Sequence, residues 1–239
     1  MTRDLEIRLG RASVVLPIAQ RTVVLCDDAT GARAVVDACV SAGVRGIRGD
    51  EGSRSTVQEL LPRRTDETVV DRMRAGLRLD ADILQWRPRD IGPLQRLIAS
   101  SFVALVSGAE SLVFDLSAVA DSAFDAAHAC AHLRRIGEGI GVPVIAVIAD
   151  AALLSSAGSH LVVVSGDTVV EAGPLDARLA APDSDQLRRR LEATPVPNPM
   201  AMQMRRVQRV ATRPVNYAHT TIIELPTRDS VALAGGEEH

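Results

Sequence analysis

The stretch PVIAVIADAALLSSAGSHLVVVSGDTVVEAGPLDARLAAP, residues 143–182, carries the pattern on which the fold turns. Residues 142–149, VPVIAVIA, form a short continuous apolar run rich in β-branched side chains, the composition of a strand buried on both faces. Residues 151–157 read as a short helix, and 160–173, HLVVVSGDTVVEAG, as a hairpin whose two β runs are joined by Gly166 and Asp167. Helices over 175–180 and 183–193 follow, and PVPNP at 195–199 closes the domain. Upstream, SLVFDL (111–116) is a second buried strand, and 122–138 a helix ending at Gly139. This alternation predicts a parallel sheet covered by helices on both faces.

Further out, 5–9 and 14–18 are β-type runs, and 22–26 is a strand followed by the turn DDATG and a helix over 32–42. Residues 43–48 read as a short strand, 49–65 as surface loop, and 67–77 and 93–106 as helices. The fold class is therefore α/β: a mainly parallel sheet in which 22–26, 111–116 and 142–148 are adjacent strands, an N-terminal antiparallel β part, and a small helical arm. Two units are expected, the domain 1–194 and an extension over 195–239, where MAMQMRRVQRV has helical character and TTIIELP β character.

Composition narrows the partners. Net charge is −3, with 27 basic against 30 acidic residues, which sets up no field for nucleic acid or an anionic membrane. Every one of the 27 basic residues is Arg; the chain has no Lys. Aromatic residues make up only 2%, so the core is built of Val, Leu, Ile and Ala. Cys26, Cys39 and Cys130 are odd in number and lack CxxC spacing, pointing to reduced thiols in a cytoplasmic protein. No apolar run is long enough to span a bilayer, and MTRDLEIRLG has no signal-peptide core, so the expectation is no direct membrane insertion; any membrane association would be peripheral, at the inner face, through a partner.

From SLVFDL onward the chain resembles the ATP-binding-cassette (ABC) transporter ATPases, and the likeness can be followed in order over residues 3–193. Asp115 ends the strand that in the family precedes a catalytic Glu, with Gln95 and Arg96 at the matching distance upstream. Ile91, Gly92, Pro93 and Leu94, followed by Gln95, stand where the family has its Leu-Ser-Gly-Gly signature. Gln58 resembles the Q-loop glutamine, and VLCDDATGAR (24–33) occupies the place of the phosphate-binding loop. The hairpin with Glu-x-Gly, Pro and a Leu-Ala-Ala-Pro helix end is the most specific match. The resemblance implies a P-loop NTPase-like fold and work as a dimer of cassettes on transmembrane subunits.

A phosphate loop G-x-x-x-x-G-K-[ST] needs Lys for the phosphate oxygens and a hydroxyl for Mg²⁺. This chain offers Cys26, Gly31, Ala32 and Arg33, and brings in Asp27 and Asp28, whose charge would repel a triphosphate. Leu116 stands where the family has its Glu, and Ala149 where it has the switch histidine; neither can orient water or move a proton. The expectation is thus a degenerate, pseudo-ATPase cassette with no catalytic residue, no metal site and no cofactor. Its nucleotide-site remnant would be Gly31, Ala32, Arg33, Gln58 and Asp115. The implied partners are a competent ABC ATPase subunit, a membrane permease, or both. Two alternatives stay open: an active or nucleotide-sensing ATPase with an atypical loop, binding ATP and Mg, and a STAS-like regulatory module suggested by residues 112–149. His128 and His132, four apart on one helix, read as packing or surface residues, and the run 188–190 as a solvated helix face.

Overall fold

The computed structural model describes residues 3–10, 12–18, 21–49, 52–117 and 123–194. Two strands, β1 (Arg3–Leu9) and β2 (Ala12–Ile18), pair antiparallel in a separate two-stranded sheet, with Leu5 opposite Leu16 and Ile7 opposite Val14. Then come β3 (Arg21–Leu25), α1 (Ala29–Ser41), β4 (Arg45–Arg48), α2 (Val57–Leu60), α3 (Glu67–Leu77), α4 (Pro93–Val106) and β5 (Leu112–Asp115). Next are α5 (Ala123–Arg134), β6 (Val144–Ile148), α6 (Leu154–Ala157), β7 (His160–Ser165), β8 (Thr168–Pro174), α7 (Leu175–Ala180) and α8 (Asp185–Ala193). The tail 195–239, with its Met-rich and TTIIELP segments, lies outside the described residues.

The main sheet has the order β4-β5-β6-β3-β7-β8, parallel throughout except for β8, which returns antiparallel to β7 across Gly166 and Asp167. The three strands expected to be neighbours are so, with β6 between β5 and β3: Val24 is opposite Val147, and Phe114 opposite Ala146. Period-two alternation splits each strand between two cores. Val23, Leu25, Phe114, Ala146 and Ile148 face a core shared with α4, α5 and α6. Val24, Val113, Ile145, Val147 and Val162 face the other, completed by α1 and the β1–β2 hairpin. Because both faces are covered, the central strands read as unbroken apolar runs, each fully buried Val, Leu or Ile contributing about 1.5–3 kcal/mol.

Two expectations need correction. The stretch 49–65 is not all loop: α2 sits within it, started by a reciprocal cap in which Glu59 N–H donates to Thr56 Oγ1 (3.3 Å) and Thr56 N–H to Glu59 Oε2 (2.8 Å). Its first residue, Val57, is fully buried. The helix after β5 runs past Gly139 through a π-helical turn, Arg135–Ile140, and stops at Gly141, whose φ of +83° takes the left-handed conformation that terminates it. The helical arm between β4 and β5 is small, as expected: α2, α3, two short 3₁₀ turns and α4.

Candidate functional site

At the C-terminal end of β3 the chain has three residues before α1. Cys26 N–H extends the ladder to Ile148 C=O (2.9 Å), and Asp27 and Asp28 then lead straight into the helix at Ala29. Asp28 is extended, and its side chain caps the helix: Oδ1 accepts from Gly31 N–H at 2.7 Å while its carbonyl accepts from Ala32 N–H at 3.0 Å. The helix start, a natural anion site, therefore already holds a carboxylate from its own chain. Gly31 and Ala32 lie inside the first turn; Ala32 is buried and Arg33 exposed. A methyl on Gly31 would sit 3.6 Å from Asp28 Oδ1 and from Cys26 Cβ, ordinary contact.

Asp27 is bound from two sides. From the β7–β8 turn, Ser165 Oγ (3.0 Å) and Gly166 N–H (3.2 Å) donate to its Oδ2. From α8, Gln186 Nε2 donates to its Oδ1, and the Arg190 guanidinium stands 3.7 Å from the same oxygen. Arg190 also donates to the carbonyls of Asp27, Cys26 (3.3 Å) and Ala149 (3.2 Å). This corrects the reading of 188–190 as a solvated face: Arg188 is half exposed and pairs with Asp185 within α8, whereas Arg190 spans the ends of β3 and β6. The contact joins residues more than 160 positions apart, which no spacing rule could reveal.

Position and angle of α8 are set by Glu171 of the hairpin, whose buried carboxylate accepts from Asp183 N–H (3.0 Å), Ser184 N–H (3.0 Å) and Ser184 Oγ (2.5 Å). Arg178 pairs with Glu171 at 3.9 Å and with Asp183. Gly173 makes room for it: at φ +154° its added Cβ would lie 2.5 Å from Arg178 Nε. The Glu-x-Gly motif thus has a structural job within this chain.

The other sequence candidates are dispersed. A cleft of about 220 Å³ beside the loop is lined by Cys26, Asp27, Asp28, Thr30, Gly31 and the start of the β7–β8 turn; of the five proposed nucleotide-site residues only Gly31 lines it. Asp115 is 5% exposed, and its Oδ1 accepts from both the N–H (3.0 Å) and the hydroxyl of Ser117. Leu116 continues the ladder to Val147 C=O (3.0 Å) and packs into the core. Gln58 accepts from Gln85 Nε2 at 3.3 Å. Gly92 and Pro93 open α4 as N-cap and first residue, Leu94 packs on the core, and Gln95 Oε1 lies against Gly92. Arg96 ties this start down by donating to Ile91 C=O (2.9 Å) and Gly49 C=O (3.3 Å).

His132 is buried, and its Nε2 lies 2.7 Å from Ser101 Oγ, whose own proton goes to Ile98 C=O (2.8 Å). The imidazole therefore donates from Nε2, and its buried Nδ1 is unpartnered. Burial, with Arg135 nearby, pulls its pKa down to about 3. Burial also pushes the Cys26 thiol up to about 12, helped by Asp27, Asp115 and Asp28, and Cys39 to about 12. Among the described residues no group of three or more His, Cys, Asp and Glu is placed to hold a metal ion, and no helix is long and apolar enough to cross a membrane.

No protein-family model matches the sequence, and no curated protein does. Solved structures do. A nucleotide-free ATP-binding cassette from an ABC transporter superposes with a TM-score of 0.55 at 11% identity, over 85% of this chain and 97% of its own. CbiO1 from Clostridium perfringens, part of the ABC transporter complex cbiONQ, gives 0.58 at 10% identity, over 88% of this chain and 97% of its own. The fold is that of an ATP-binding cassette. The match takes in nearly the whole length of each neighbour and more than four fifths of this chain, whereas the STAS resemblance covered only residues 112–149. At such identity the likeness carries architecture alone, and function has to be argued from the site.

Proposed function

We propose that this chain is a non-catalytic cassette subunit, a structural or regulatory partner of a competent cassette ATPase or of a membrane permease, with the dimeric assembly that its resemblance implies. One observation carries the reading: the start of α1, where phosphate would be received, already holds the Asp28 carboxylate on Gly31 N–H, and a second carboxylate, Asp27, is fixed beside it. Magnesium–nucleotide does not fit the residues present. The cleft at the loop is lined by two carboxylates and no cation, its roughly 220 Å³ falls below the ~300 Å³ at which small-ligand sites begin, and Arg33 is no substitute for a hydroxyl ligand. Leu116 and Ala149 supply neither a base nor a proton carrier. CbiO1, a cassette within a transporter complex, supports a setting in which this chain meets permease subunits.

The test is binding of labelled ATP with magnesium, and hydrolysis, by the purified full chain, together with affinity recovery of its partner from source cells. The expected result is neither binding nor turnover, with recovery of a cassette bearing an intact phosphate loop or of a multi-span membrane protein. Turnover that disappears in Asp115→Ala would overturn the reading and favour an ATPase with an atypical loop.

A further inference from the structure

We infer that α8 is a latch: an intramolecular ligand that holds the loop at the end of β3 closed, in the place where this fold otherwise receives a nucleotide. The meaning of the latch rests on the non-catalytic reading; its existence rests on the contacts alone.

Three features point the same way. Arg190 and Gln186, one helical turn apart on α8, converge on a single residue, Asp27, from the same side. The guanidinium uses its fork on the carbonyls of Cys26, Asp27 and Ala149, bridging the ends of two neighbouring parallel strands where this sheet has no further ladder partner to offer. Finally, α8 is held independently at its other end, where Glu171 takes the backbone donors of Asp183 and Ser184. A helix hinged at one end and bonded to the loop at the other forms one mechanical unit with it. Asp27 is also the junction to the β7–β8 turn through Ser165 and Gly166, so release of α8 loosens the loop rather than merely fraying a terminal helix.

The experiment is amide hydrogen exchange on the full chain, read on peptides covering 22–34 and 183–194. In Arg190→Ala, exchange is expected to rise at least tenfold in both segments together, with alkylation of Cys26 accelerating and that of Cys39, buried on the core face of α1, unchanged. Gln186→Ala gives a smaller, parallel rise of about threefold. Arg188→Ala, which loses the pair with Asp185 and a bond to Pro182 C=O but no contact with the loop, leaves the 22–34 segment as in the parent chain. A rise confined to 183–194 overturns the latch, since α8 would then fray without consequence for the loop. If Arg190→Ala proves globally unfolded, Gln186→Ala decides: a coupled rise supports the latch, and an unchanged 22–34 segment overturns it. Adding ATP and magnesium to Arg190→Ala separates the two readings. A gain in melting temperature absent from the parent chain supports the latch while overturning the non-catalytic reading. No gain together with coupled exchange supports both.

Discussion

The loop at 26–33 and the hairpin segment at 171–194 are both places where the chain resembles an ATP-binding cassette, yet they differ in how much of the family's pattern they carry. The hairpin keeps Glu171, Gly173 and the following helix, and each has a partner inside the molecule: backbone donors for Glu171, space for Arg178 beside Gly173. The loop keeps only Gly31, and the structure gives Gly31 no task that Ala could not perform. In the hairpin the residues that carry the resemblance bond to groups of the chain itself, and in the loop Asp27 and Asp28 do so where the resemblance would place a ligand's contacts. Packing of the sheet holds the architecture under both.

The largest effect expected from this contrast is at Glu171. Glu171→Ala strands the donors of Asp183 and Ser184 and leaves Arg178 without its buried partner, and urea unfolding should show a loss of about 3 kcal/mol. An effect below about 1 kcal/mol would show that the hairpin motif, too, had lost its role. A second measurement uses a buried group outside both regions as a reference for fold stability. His132 is neutral in the folded chain, with its pKa lowered to about 3 from 6.5, so the unfolded chain takes up the extra proton. Its contribution is complete above about pH 6.5 and is lost as pH falls toward 3, at roughly 1.4 kcal/mol per unit, or about 2 kcal/mol by pH 5. His132→Gln should flatten that slope in chemical denaturation at pH 5 to 7.

At the loop the effects shrink and then change sign. Asp28→Ala removes the cap on α1 and should cost about 1 kcal/mol, read from the denaturation midpoint. Gly31→Ala should stabilise the chain by about 0.5 kcal/mol, because Gly31 occupies an ordinary helical position. In a loop that wraps phosphate the same change would damage the site. A destabilisation above about 1 kcal/mol at Gly31 would break the comparison.

Much of the architecture was legible because strands buried on both faces write themselves as apolar runs: 111–116 and 142–148 needed no partner to be recognised. The turn Gly166-Asp167 and the Leu-Ala-Ala-Pro helix end are local in the same sense. α2 was missed although its signal was present, since Thr56 and Glu59 have the spacing of a reciprocal cap; the charged surroundings masked it. The termination at Gly141 instead of Gly139 turned on backbone conformation, which three glycines in one short stretch, Gly137, Gly139 and Gly141, leave open. At the site, the absence of Lys and of a carboxylate after Asp115 could be read directly, but the bonds made by the residues present could not. Asp28 as a cap follows from its position before a helix; Asp27 with Arg190, and Ser101 with His132, are pairings across the fold that involve residue types found on any surface.

One side of the main sheet ends in β8, and the other in β4, which among the described residues pairs only with β5. An open strand edge is the usual template for chain-to-chain polymerisation. Here it is four residues long, Arg45–Arg48, with Gly46 and Ile47 between two guanidinium side chains. A second copy pairing along this edge would bring Arg45 opposite an arginine of its own kind in either direction. Brevity and the flanking arginines thus make β4 a poor template for edge-to-edge pairing.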